Sequence, residues 1–167
     1  MLILRKNSGF TIVEIIVVIV VISIAAMLAV PMFSSAADMQ ARSVANMITA
    51  DIEYAKSLAV STQNDYSVVF DAAGDSYQIQ KDGAVIDHPY RPGGYIVALK
   101  NDSRISAVSI TAADFDSQTA VSFDYLGSPY SGLTTVAPLN SGQINLQAGD
   151  FSMIVTVEPV TGYITIQ

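Results

Sequence analysis

The run Lys6–Phe33, KNSGFTIVEIIVVIVVISIAAMLAVPMF, decides the architecture. From Phe10 onward its only polar side chains are Thr11, Glu14 and Ser23. As a helix rising ~1.5 Å per residue it reaches roughly 36 Å, enough for a hydrocarbon core of ~30 Å. Arg5 and Lys6 lie just ahead of it, so the positive-inside rule keeps the N-terminus cytoplasmic and sends the rest outward. An ordinary secretory signal fits poorly, because such peptides have an apolar core of about 7–15 residues and a small-x-small cleavage site. This run is longer, and Glu14 lies inside it. An acid near the bilayer costs about 2.5–3.5 kcal/mol on insertion scales, which counts against a plain signal anchor and marks Glu14 as functional. Pro31 removes a helix hydrogen bond and clashes with the preceding turn, so it is expected to kink or locally melt the helix.

Outside this run the composition narrows the possibilities. The 167 residues have room for one globular domain plus the apolar element, which explains a mean hydropathy of +0.43. The net charge is −7, and since Arg5 and Lys6 precede the run, the remainder carries −9. That balance keeps an exported head soluble and disfavours nucleic acid, whose binding needs cations to displace phosphate counterions. With no cysteine, disulfide scaffolds, thiolate metal sites and thiol nucleophiles are excluded.

Lys6-Asn7-Ser8-Gly9 followed by Phe10-Thr11-Ile12-Val13-Glu14 resembles the leader and mature start of type IV prepilins and type II secretion pseudopilins. The resemblance implies cleavage between Gly9 and Phe10 by a membrane prepilin peptidase, and N-methylation of Phe10. Glu14 becomes the fifth mature residue and Pro31 the twenty-second, positions typical of the family; Ile12 stands where leucine is commonest. Cleavage would create an ammonium at Phe10, roughly 6 Å along the axis from Glu14. A carboxylate in an apolar helix needs such a cation, and in a staggered filament Glu14 of one subunit can meet the ammonium of its neighbour.

Past residue 35 helical spacing continues in a different composition. Ala37, Ala41, Val44, Ile48, Ile52, Ala55 and Ala59 form one apolar stripe, opposed by Arg42, Asn46, Thr49, Glu53 and Lys56. After Gln63-Asn64-Asp65 the period changes to two. Strands are expected at Tyr66–Phe70, Ser76–Gln80, Ala84–Ile86, Tyr95–Leu99, Ile105–Ile110, Val121–Tyr125, Gln143–Gln147, Phe151–Glu158 and Tyr163–Gln167. Lys81-Asp82-Gly83 reads as a turn, while Asp87–Gly94 and Leu126–Asn140 read as long irregular loops. The expected fold is α+β: a leader (1–9), an assembly half-helix (10–35), an amphipathic half-helix (36–62) and a head (63–167) built on an antiparallel sheet. Unbroken over Phe10–Thr62, the helix would reach roughly 80 Å. Ile52–Ala59 and the closing hairpin around Pro159-Val160-Thr161-Gly162 resemble the minor GspH/FimT-like pseudopilins, with Lys56 where that group has arginine.

The chemistry of the head is sparse. His88 lies in a Pro/Gly-rich loop, where a solvated side chain is expected, and no nucleophile elbow, P-loop or HExxH pattern is present, so an enzyme is not expected. Asp71 with Asp75, or Asp114 with Asp116, could offer oxygens to Ca²⁺, but neither follows the EF-hand pattern, and no cofactor is expected. The competing reading is a DNA-binding minor pilin of an uptake system, or a major pilin or pseudopilin. Residues 105–167 contain five acids and neither lysine nor arginine, which leaves a C-terminal DNA contact without its electrostatic term. Arg91, Lys100 and Arg104 are expected as solvated singletons. The resemblance implies other pilin subunits, the prepilin peptidase, an inner-membrane assembly platform and membrane lipid as partners. It places the chain in the bacterial cytoplasmic membrane with the head outside, then in a filament.

Overall fold

The computed structural model describes residues 11–167, without the side chains of residues 28–35. Arg5, Lys6, Gly9 and Phe10 thus lie outside the described residues, as does the side chain of Pro31. The backbone forms one helix, α1 (Ile12–Thr62), and Pro31 falls within it without ending it. The chain divides into two compact units, 1–35 and 36–167.

In the first unit, α1 is apolar on every side. Its large hydrophobic side chains between Ile12 and Met27 are 46–81% exposed. Among the described residues no helix is long and apolar enough to cross a membrane. The run that reaches spanning length in the sequence continues to Phe33.

In the second unit, α1 buries the stripe that its 3.6-residue period dictates. Ala41, Val44, Ala45, Ile48, Ile52, Ala55 and Ala59 are fully buried in the core of the head. Four of these seven are alanines, whose small side chains let the helix backbone lie close to its neighbours. The helix ends where Gln63 turns left-handed (φ 55°) and Asn64 Nδ2 donates to the Thr62 carbonyl at 2.6 Å.

Two antiparallel sheets complete this unit. The first contains β1 (Tyr66–Asp71), β2 (Ser76–Lys81), β3 (Ala84–Val85), β4 (Ile96–Ala98), β6 (Ala120–Phe123) and β7 (Pro129–Ser131) in the order β3-β2-β1-β6-β7, with β4 also pairing β2. The second contains β5 (Val108–Phe115), β8 (Gly142–Ala148), β9 (Phe151–Val157) and β10 (Ile164–Ile166) in the order β10-β9-β8-β5. In β8, Ile144 and Leu146 point into the core while Gln143 and Gln147 face water, the alternation a half-buried strand requires. Asp82 and Gly83, both at positive φ, make the two-residue turn between β2 and β3.

Three expectations are corrected. The head has two sheets rather than one. The strand expected at Ile105–Ile110 is β5, and it runs from Val108 to Phe115. Asp102 and Ile105 carbonyls accept the N–H groups of Ile105 and Val108, each at 3.0 Å, so residues before 108 form consecutive turns. A bulge between Ile110 and Ala112 then shifts the alternation, which hid the rest of the strand. Within the loop expected at Leu126–Asn140 lies β7, an edge strand whose first residue is Pro129, one of the few places a sheet tolerates proline.

Candidate functional site

Thr11 sets the start of α1. The Glu14 N–H donates to Thr11 Oγ1 at 3.2 Å and the Ile15 N–H to the Thr11 carbonyl at 3.2 Å, so Thr11 caps the helix. Thr-x-x-Glu is capping-box spacing, a signal the sequence carried and that a reading centred on the carboxylate overlooked. Ser23 donates to the Ile19 carbonyl at 2.7 Å, one turn back. Two of the three polar side chains in the apolar run are therefore satisfied inside the helix. The Glu14 carboxylate is exposed and has no partner among the described residues. It is the group left needing a cation.

The head is clasped to α1 by charged and polar side chains. Asp51, on the helix, accepts hydrogen bonds from the Tyr77 hydroxyl at 2.5 Å and the Tyr95 hydroxyl at 2.8 Å. Burial, reinforced by the neighbouring Asp51 carboxylate, pushes the Tyr77 phenol well above its usual value, and Tyr95 is raised for the same reasons. One turn further along, Lys56 Nζ donates to the Thr161 and Gly162 carbonyls, both at 3.0 Å, pinning the turn before β10. The sequence placed Lys56 on the polar stripe. It is instead half-buried, as is Thr49, whose hydroxyl oxygen is buried without a partner.

The acidic pairs suggested for Ca²⁺ have structural tasks. Asp71 caps the Gly74 N–H at 3.1 Å, and Asp75 accepts from the Ile110 N–H at 2.7 Å while pairing with Lys100 at 3.3 Å. Asp114 accepts from the Ser117 N–H at 2.6 Å, and Asp116 holds the N–H groups of Asn140 and Ser141 at 2.8 and 3.1 Å. Among the described residues no three potential ligands converge on a metal position. His88 is half-buried rather than solvated: it stacks on Tyr95 with centroids 4.5 Å apart, and its Nδ1 accepts the Tyr90 N–H at 3.1 Å. Lys100 is engaged by Asp75, and Arg91 and Arg104 line one groove rather than standing apart.

The pattern known as the prokaryotic N-terminal methylation motif matches residues 4–30. Among solved structures, the chain is similar to the minor pseudopilin EpsH from the type 2 secretion system of Vibrio cholerae. The two are 13% identical over 77% of this chain and 96% of that one, with a TM-score of 0.52. The chain thus carries that motif at its N-terminus and shares the fold of this minor pseudopilin. The type IV minor pilin FimU of Pseudomonas aeruginosa is also similar, at 17% identity over 75% of this chain and 91% of FimU, with a TM-score of 0.47. No curated protein matches the chain. The apolar part of α1, capped by Thr11, carries Glu14 in its first turn, and the remainder of the helix is clasped into the two-sheet unit.

Proposed function

We propose that this chain is a structural subunit, of the minor kind, of a type IV pilus-like or type II secretion filament. The prepilin is cleaved after Gly9 and methylated on Phe10 by a prepilin peptidase. Until assembly, the α1 segment rests in the cytoplasmic membrane, with the head outside and the basic leader inside. An assembly platform then moves it into the filament, where apolar helices of neighbouring subunits cover one another and Glu14 meets a neighbour's N-terminal ammonium. Pro31 lets the lower helix bend as it packs.

The observation that carries this reading is the polar accounting of α1. Every described apolar side chain of the first unit is exposed, Thr11 and Ser23 are satisfied internally, and Glu14 alone awaits a partner. A helix hydrophobic all round is built to be covered. The motif over residues 4–30 supports the processing site. Mass spectrometry of the membrane-extracted protein tests it: the expected mature terminus is N-methylated Phe10, abolished by Gly9→Val. A terminus mapped elsewhere contradicts the processing step.

A further inference from the structure

The head has one open sheet edge flanked by arginine. In the β2–β4 pair, the Ile79 N–H donates to the Tyr95 carbonyl at 3.1 Å and the Leu99 N–H to the Asp75 carbonyl at 2.9 Å. By antiparallel alternation Val97 also faces β2, and Ile96 and Ala98 turn their backbone groups to the other side. The Ile96 N–H is spent on the Gly94 carbonyl at 2.8 Å. The Ala98 carbonyl opens the 3-10 turn Leu99–Asn101, but the Ile96 carbonyl and the Ala98 N–H have no partner among the described residues, and no described strand lies on that edge. A groove of about 590 Å³ runs along it, lined by Ile96, Val97 and Ala98 together with Arg91, Asn101 and Arg104.

The charges in that groove are unevenly committed. Beyond the leader the chain has six bases, and five make intrachain contacts. Arg42 lies over Phe151 and Lys81 over Tyr66, Lys56 holds turn carbonyls, Lys100 pairs with Asp75, and Arg104 grips Asp102 through Nε at 3.0 Å and Nη2 at 2.7 Å. Arg91 makes neither ion pair nor hydrogen bond among the described residues. It stands on a fixed loop: the His88 N–H donates to the Gly93 carbonyl at 3.0 Å, and the His88 ring is stacked on Tyr95, itself anchored to Asp51. The groove's own acid, Asp102, is held down to about 2 chiefly by its hydrogen bonds to Arg104, with the Arg91 charge adding a smaller effect through space.

We infer that the β4 edge accepts an extended, carboxylate-bearing peptide segment of a partner protein, which adds as a strand along Ile96–Ala98 and places an acid on Arg91. Main-chain bonds to the Ile96 carbonyl and from the Ala98 N–H supply the pairing, and the planar guanidinium takes a carboxylate in two parallel bonds. A preformed loop lowers the ordering cost of the contact. Nucleic acid is the poorer occupant, because one unpaired arginine in a unit of net negative charge displaces few counterions, whereas a strand edge offers what a peptide backbone needs. The inference does not depend on the filament reading.

The test uses the full-length chain in detergent micelles and a labelled, end-capped six-residue peptide of alternating valine and glutamate, followed by fluorescence anisotropy. Saturable binding is expected, weakened about tenfold or more by Arg91→Gln and by glutamine in place of glutamate in the peptide. N-methylation of every second peptide amide should abolish binding in one register and spare it in the other. A single-stranded oligonucleotide of matching length should fail to compete. Absence of saturable binding, equal binding by both N-methylated registers, insensitivity to Arg91→Gln, or displacement by the oligonucleotide would each overturn the proposal. Arg91 is exposed, so the variant should melt with the wild type. Should it not fold, the peptide variants decide alone.

Discussion

Val160 shows what a single residue can cost. It is β-branched, 82% exposed and held at φ 67°, a conformation that suits glycine. Because its side chain buries little, Val160→Gly should relieve strain and raise stability by about 1 kcal/mol in urea unfolding of the head's signal. A loss of stability would mean that the valine packs usefully there. The turn stays in place because Lys56 holds the next two carbonyls; replacing that ammonium by Met should cost about 1–2 kcal/mol, since both carbonyls lose a charged donor. Tyr77 and Tyr95 set the alkaline limit. Both phenols titrate above their unfolded value of 10.0, so the stability they contribute is complete below pH 10 and is lost as pH rises beyond it. Denaturation midpoints should therefore fall above pH 10, and less steeply in Tyr77→Phe. None of these contacts was legible in the sequence. Asp51 meets its tyrosines across 26 and 44 residues, and no local pattern announces a pairing of that span.

At the scale of elements, legibility followed periodicity. The apolar stripe of α1 was readable because it recurs every three or four residues, and Ala41, Val44, Ile48, Ile52, Ala55 and Ala59 are all buried where that spacing puts them. Ile48→Ala or Ile52→Ala should each cost about 2–5 kcal/mol by leaving a cavity under the sheets, measured by the same unfolding. The hairpin of β1 and β2 was likewise plain from alternation and turn chemistry. Where an element departs from its period it was lost. The bulge at Ile110–Ala112 displaced β5, and Pro129 concealed β7. Division into two sheets was also illegible, because strand alternation says which face is buried but not which strand is adjacent.

For the whole molecule, the two units pose opposite problems. The head satisfies itself: its helix stripe and both sheets close one core, and Asp71, Asp75, Asp102, Asp114, Asp116 and Asp124 are committed to N–H groups and bases. The apolar half of α1 does not, since its hydrophobic side chains stand exposed and Glu14 lacks a cation. That asymmetry was already present in Lys6–Phe33, and the capped helix sharpened it by showing that Thr11 and Ser23 need nothing from outside. The most direct test is the amount of Glu14→Val subunit recovered in sheared filaments, compared with wild type at equal membrane levels. The account predicts a processed, membrane-held protein depleted from filaments about tenfold or more. Incorporation at the wild-type level would contradict it.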